Sequence, residues 1–75
     1  MMIPVTVDCR LVWRKAPPRE VMIPEGTTID GFLDAIGEGA LRGQALLAID
    51  RQICNPDRVV RAGETVMLLP VMCGG

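Results

Sequence analysis

The chain has 75 residues, with 8 basic and 9 acidic side chains spread along it and a formal net charge of −1. A chain of this length has room for one core, which predicts a single domain over residues 1–75. Because basic and acidic residues are balanced, the sequence predicts no basic surface that would bind DNA, RNA or an anionic membrane, and none of these is an expected partner. The sequence contains no His, Ser or Tyr. This absence excludes Ser-His-Asp and Cys-His catalysis and any His-ligated metal, and a self-contained enzyme is not expected.

The sequence predicts a cytoplasmic protein with free thiols. Its longest apolar stretch is far shorter than the roughly 20 residues of a membrane span. Residues 1–4 lack the basic and long apolar regions of a signal peptide. The three cysteines, Cys9, Cys54 and Cys73, are odd in number and widely spaced. They match neither a disulfide framework nor a metal knuckle, and in a reducing compartment they would be free.

The first half of the chain predicts a β-hairpin and then a helix. Apolar residues alternate with mostly polar ones over residues 3–13, which is typical of a strand with one buried face. Two prolines interrupt the pattern, and residues 19–23 resume it, so the two runs predict a hairpin. Thr27 or Thr28 can cap a following helix that ends near Gly37 or Gly39. The predicted buried face of that helix has the i, i+3, i+4, i+7 spacing and consists of Ile29, Phe32, Leu33 and Ile36.

The remaining residues predict three more strands. Residues 38–44 form a loop pinned by Leu41, and a strand over 45–49 leads through a turn to a short edge strand at 53–54. Gly63 can take a positive φ in the next turn. Residues 65–71 are apolar at nearly every position, which predicts a strand in the middle of the sheet, buried on both faces. The order β-β-α-β-β-β, with one main helix on a mixed sheet, predicts a small α+β roll.

The last strand also suggests a docking surface, with two interpretations open. Met67, Leu69 and Val71 share one side of it, and one short helix covers only one face of a sheet. The second face is then partly exposed, and an exposed apolar patch usually meets a partner. Alternatively, the loop at 38–44 packs on that face and completes a two-sided core. The candidate docking residues are Met67, Leu69, Val71, Met72 and Cys73, and Met22 could extend them because methionine adapts to different surfaces.

The chemistry is predicted at the carboxyl end. The chain stops at Gly74 and Gly75, directly after the apolar strand. Without Cβ atoms these residues can thread a narrow slot, and residues 71–75 in extended form reach on the order of 17 Å. A carboxylate is unreactive until it is activated, and the sequence contains neither GxxxxGK[ST] nor GxGxxG after a strand. ATP must therefore be handled by another protein.

Three segments together resemble the ThiS/MoaD sulfur-carrier family: the strand end at 48–50, the turn at 60–66 and the ending at 69–75. The resemblance implies a β-grasp, ubiquitin-like fold. It also implies that an E1-like enzyme adenylates Gly75 with ATP and magnesium, and that a persulfide or sulfide donor converts it to a thiocarboxylate. A downstream synthase then takes the sulfur for molybdopterin, tungstopterin or thiamine thiazole. The chain itself would bind no cofactor and no metal, and would be a carrier or the small subunit of a synthase.

One residue departs from the family pattern, and two other functions remain open. The residue before the terminal glycines is commonly small in this family, and here it is Cys73. Cys73 is either a tolerated small side chain or a relay for sulfur. The same activated Gly75 would also serve a ubiquitin-like modifier that ends in an amide bond to lysine. A non-covalent β-grasp binding module with an incidental Gly-Gly ending is the third possibility.

Overall fold

A computed structural model describes residues 1–11 and 14–71, and one α-helix in this part of the chain packs on a mixed β-sheet. This arrangement confirms the predicted α+β class. The elements in chain order are β1 (Met2–Leu11), β2 (Arg14–Lys15), β3 (Arg19–Pro24), α1 (Ile29–Ala35), a 3₁₀ helix (Gly39–Leu41), β4 (Ala45–Ile49), β5 (Gln52–Ile53) and β6 (Thr65–Pro70).

The sheet has the order β3-β1-β6-β4-β5, with β2 beside the carboxyl end of β1. β1 and β3 form the predicted antiparallel hairpin, in which Ile3 lies opposite Ile23. β6 runs parallel to β1 and antiparallel to β4, so it is hydrogen-bonded on both edges. The prediction that the last strand lies in the middle of the sheet is confirmed.

The hairpin differs from the sequence prediction at its closed end. The predicted first strand extends to Trp13, whereas β1 ends at Leu11, and Trp13 lies outside the described residues. Arg14 and Lys15 were expected to end the strand pattern, but they form a short strand that pairs back onto β1, with Lys15 opposite Arg10. A strand of two polar residues has no alternation, so its pairing leaves no sequence signal.

The helix begins and ends where capping chemistry predicts. The Thr28 hydroxyl oxygen accepts a hydrogen bond from the backbone N–H of Gly31 at 3.4 Å. Gly37 follows the helix with a φ of +79°, a conformation that glycine adopts at low cost. The predicted loop contains a 3₁₀ helix, and its Leu41 is buried in the core as expected. The apolar face of the helix is buried at Ile29, Phe32 and Leu33.

The turn after β4 shifts the predicted edge strand by one residue. Asp50 and Arg51 both have positive φ values, 54° and 65°. Two consecutive positive φ values are the geometry of a tight two-residue hairpin turn, which matches the twist of the flanking strands. Gln52 is therefore already paired with Ile49, and β5 covers Gln52–Ile53 in place of the predicted residues 53–54.

An ion pair holds the loop that precedes β6. The guanidinium of Arg58 donates to both carboxylate oxygens of Glu64, at 3.0 and 2.8 Å, and the backbone N–H of Arg61 donates to the same carboxylate at 2.7 Å. The hydrogen bonds from Arg58 are the main cause that holds the pKa of Glu64 below its usual value, while burial opposes them. The backbone of Glu64 in turn accepts from Thr6 of β1, so this contact fixes the start of β6.

A Glu64→Gln variant should lose about 1 kcal/mol of unfolding free energy at pH 7, after allowance for solvent screening of the partly exposed Arg58. The folded-state pKa of Glu64 lies below its unfolded value, so the contribution of Glu64 to stability is complete above the unfolded pKa. The contribution then disappears as the pH falls through the folded-state pKa. Urea unfolding at a series of pH values should show the two proteins converging in acid, and a difference that is independent of pH would contradict this role.

Candidate functional site

The sheet surface that faces away from the helix carries a run of apolar side chains. Residues that lie opposite each other on neighbouring strands share a face of the sheet. The register places Leu69 opposite Leu46, Met67 opposite Ala48, and Ala48 opposite Ile53. We call this surface the outer face, and it consists of Leu46, Ala48, Ile53, Met67 and Leu69.

The outer face is open to solvent at most of these positions. Ile53 is 56% exposed, Leu46 is 37% exposed, and Met67 and Leu69 are half-buried. Val66 and Leu68, which alternate with them on β6, are fully buried under the helix. The prediction that β6 is buried on both faces is therefore wrong.

The physical reason is that, among the described residues, the helix and the loop at 38–44 both pack on the same side of the sheet. The loop at 38–44 was one candidate to cover the outer face. Its Leu41 instead joins the core cluster that contains the helix residues Phe32 and Leu33. The apolar side chains of the outer face therefore remain partly exposed to solvent, and an exposed apolar patch on a small protein is typical of a partner-binding surface.

The predicted tail begins beside this surface. β6 ends at Pro70, and the next residue, Val71, is exposed. The backbone N–H of Val71 donates to the carbonyl oxygen of Gln44 at 3.5 Å, which ties it to the residue before β4. The other predicted site residues, Met72, Cys73, Gly74 and Gly75, lie outside the described residues. The chain therefore leaves the sheet from its central strand, next to the outer face.

The proposed extension through Met22 does not continue the outer face. Met22 is exposed on β3 and lies opposite Pro4. Its position on the sheet is separated from Met67 by Thr6 and Asp8, which occupy the intervening positions of β1. Met22 and Pro4 therefore form a separate apolar spot on the same side of the sheet.

Sequence reasoning missed a charged pair at this surface. Asp8 lies beside Met67 in the parallel register and is buried, with its carboxylate Oδ2 3.1 Å from Nε of Arg10. Both residues are polar positions of the alternating pattern of β1, which places them on the face opposite the core. That β6 would lie alongside them could not be inferred from the alternation, because parallel pairing between distant segments leaves no local signal.

The cysteines that the structure describes are packing residues. Cys9 is half-buried against the core, as its place on the apolar face of β1 predicts. Cys54 is also half-buried against the core, just beyond β5. Within residues 1–11 and 14–71, no three His, Cys, Asp or Glu side chains lie close enough together to hold a metal ion.

Comparison with protein families matches residues 13–75, most of the chain, to the ThiS family. The chain belongs to the ThiS family. The solved structure described as Caldiarchaeum subterraneum ubiquitin superposes with a TM-score of 0.69 at 12% sequence identity, over the whole of both chains. At this identity the likeness shows the fold, and it confirms the predicted ubiquitin-like β-grasp. Among curated proteins, no relative matches this chain.

Family and fold together define this ThiS-family chain as a small ubiquitin-like protein of the sulfur-carrier type, a carrier rather than an enzyme. E1-like and synthase proteins are its general class of partner. No helix in the described part of the chain is long and apolar enough to cross a membrane.

Proposed function

We propose that this protein carries sulfur as a thiocarboxylate on Gly75. An E1-like enzyme joins the Gly75 carboxylate to the AMP portion of ATP, with magnesium, and releases pyrophosphate. Sulfide attacks the acyl carbon and displaces AMP, which leaves one sulfur in place of one oxygen. A persulfide donor gives an acyl disulfide in the same way, and a thiol then reduces it to the thiocarboxylate. The carrier contributes position and a terminal acyl carbon.

One structural observation supports this proposal above the others. The central strand β6 presents Met67 and Leu69 on the outer face and leads within one residue to the exposed Val71. A partner that covers the outer face would therefore be placed beside the start of the tail. Docking and delivery of the carboxylate would depend on the same strand, which is anchored in the core by Val66 and Leu68.

The outer face is the proposed docking surface for the E1-like enzyme. Its five residues come from three neighbouring strands, so the surface is held by the sheet and is formed before the partner arrives. Preformed surfaces bind without the entropy cost of ordering a loop. Side chains that become fully buried near the centre of an interface contribute most to affinity, and that centre is more apolar than its rim. We include Val71, Met72 and Cys73 in this surface on the basis of their sequence position.

The reaction would take place in the cytoplasm, where thiol donors remain reduced. A downstream synthase would accept the sulfur for molybdopterin, tungstopterin or thiamine thiazole. Supplying the thiocarboxylated protein to a synthase of each pathway, with its precursor, would identify the recipient by which product forms.

Pyrophosphate exchange tests the first step of this proposal. The E1-like enzyme is incubated with ATP, magnesium, labelled pyrophosphate and this protein, and label should enter ATP in proportion to the carrier present. An active enzyme that exchanges label equally well without the carrier would contradict adenylation of Gly75. Bands of higher mass in a cell lysate that contain this chain linked to lysine would instead favour a ubiquitin-like modifier. Full function after loss of Gly75 would favour a non-covalent binding module.

A Cys73→Ala variant should accept sulfur at the wild-type rate. Alanine is smaller than cysteine and fits the same slot. The residues next to Cys73 in the sequence, Met72 and Gly74, offer no base that would activate its thiol. Single-turnover formation of the thiocarboxylate, followed by intact mass, gives the rate directly. A fall of tenfold or more with adenylation unchanged would show that Cys73 relays sulfur.

A further inference from the structure

A second feature of the outer face lies at the end where the chain leaves the sheet. β1 and β6 are parallel, so their carboxyl ends lie at the same end, with Asp8 beside Met67 and Cys9 beside Leu68. Arg10 is two residues after Asp8 and therefore shares the side of the sheet on which Met67 and Leu69 lie. It is located where β6 approaches Val71.

The two members of the Asp8–Arg10 pair have very different exposure. The Asp8 side chain is 12% exposed and the Arg10 side chain is 60% exposed. A carboxylate withdrawn from water is costly unless it is paired, so Asp8 holds Arg10 in place through the 3.1 Å contact to Nε. Among the described residues, no hydrogen bond or ion pair engages Nη1 or Nη2 of Arg10. The contact through Nε therefore orients a guanidinium that is 60% exposed.

The surroundings favour an acidic partner group. The outer-face positions on the neighbouring strand β6, Met67 and Leu69, carry no charge. The nearest acidic position on β3, Glu20, lies opposite Thr6, which is four residues before Arg10. A partner carboxylate would accept hydrogen bonds from the guanidinium of Arg10 at the rim of the outer face. Partial desolvation at this apolar surface strengthens such a contact.

We propose that Arg10 binds an Asp or Glu carboxylate of the E1-like enzyme at the tail end of the outer face, with Asp8 as the positioning residue. This inference rests on the proposed function. The two Nη groups of a guanidinium match the two oxygens of a carboxylate, which an ammonium group cannot reproduce. The pair would fix the orientation in which the carrier docks, so that the tail faces the activating site.

Binding of the carrier to the E1-like enzyme, measured by calorimetry at several salt concentrations, tests this assignment. Arg10→Ala should raise Kd about tenfold and flatten its dependence on salt, because the lost contact is electrostatic. Arg10→Lys should recover part of the affinity. The matched control is Arg61→Ala, an exposed arginine before the opposite end of β6, which should change Kd less than twofold.

The role of Asp8 is tested by a double-mutant cycle. Asp8→Asn should raise Kd several-fold in the wild-type background and less than twofold in the Arg10→Ala background, because Asp8 acts through Arg10. A purely structural role would give the same increase in both backgrounds. Urea unfolding of each variant checks that the fold is kept, and the Arg10 variants alone still test the carboxylate contact if Asp8→Asn does not fold.

The results separate this inference from the proposed function. If wild type binds and is converted to the thiocarboxylate while Arg10→Ala binds equally well, the Arg10 assignment is wrong and the carrier function stands. Weaker binding by Arg10→Ala with an unchanged salt dependence would also overturn the carboxylate contact. If wild type neither binds nor reacts with a proven active enzyme, both proposals fail.

Discussion

Replacing Leu69 with aspartate should slow thiocarboxylate formation about a hundredfold at subsaturating E1-like enzyme while leaving the protein folded. A hundredfold loss is about 2.7 kcal/mol, which is the size expected when a charge replaces an apolar anchor at the centre of an interface. Folding should survive because Leu69 is half-buried and faces away from the helix. Initial rates followed by intact mass, together with the urea midpoint, measure the two effects separately.

Two controls make this result specific to the outer face. Val59 is 40% exposed, a fraction similar to the 37% of Leu46. It lies outside the outer face, in the loop between β5 and β6, where it forms an isolated β-bridge with Thr28. Val59→Asp should leave the rate within twofold of wild type, whereas Leu46→Asp should follow Leu69→Asp. Equal rates for the Leu46 and Val59 variants would contradict docking on the outer face. Global unfolding of Leu69→Asp would show instead that this side of the sheet belongs to the core.

Deletion of Gly75 should abolish thiocarboxylate formation, a loss of more than about a thousandfold, and leave the affinity for the E1-like enzyme within twofold of wild type. The shortened chain still ends in a carboxylate, but the acyl carbon is withdrawn by roughly 3.5 Å, the length of one extended residue. A misplacement of about 1 Å can already cost a factor of one hundred in rate. Docking is unaffected because the outer face comes from β4, β5 and β6.

Gly75→Ala is the companion variant, because it keeps the chain length and adds a single methyl group. It should bind normally and react at least tenfold more slowly, since the proposed slot accepts residues without a Cβ. A deletion variant that is still converted to the thiocarboxylate, or that still supports cofactor synthesis, would show that the terminal residue is not the reactive one.

The parts of the fold that could be predicted from the sequence are those with a local periodic signal. The alternation in β1 and the helical spacing of Ile29, Phe32 and Leu33 each report which side of one element is buried. The position of β6 in the middle of the sheet followed from its nearly continuous apolar composition. The same composition wrongly predicted that β6 is buried on both faces. Composition does not show that the helix and Leu41 cover the same face of the sheet.

Features that depend on how two segments meet could not be predicted, whether the segments are near or distant in the chain. The ion pair between Arg58 and Glu64 and the pairing of β2 with β1 have no periodic signal. The importance of Asp8 and Arg10 became visible when the parallel register placed Asp8 beside Met67. In the candidate site, the sequence predicted the apolar residues of β6. It did not identify Leu46, Ala48 or Ile53, which join them through strand pairing.

The most direct test of the central claim is the intact mass of the full-length protein after incubation with its E1-like enzyme, ATP, magnesium and a sulfur donor. The account predicts a mass increase equal to the exchange of one oxygen for one sulfur, located at Gly75 by fragmentation and absent when ATP is omitted. An unchanged mass, obtained with an enzyme shown to be active in pyrophosphate exchange with this carrier and with a donor shown to be competent, would contradict it.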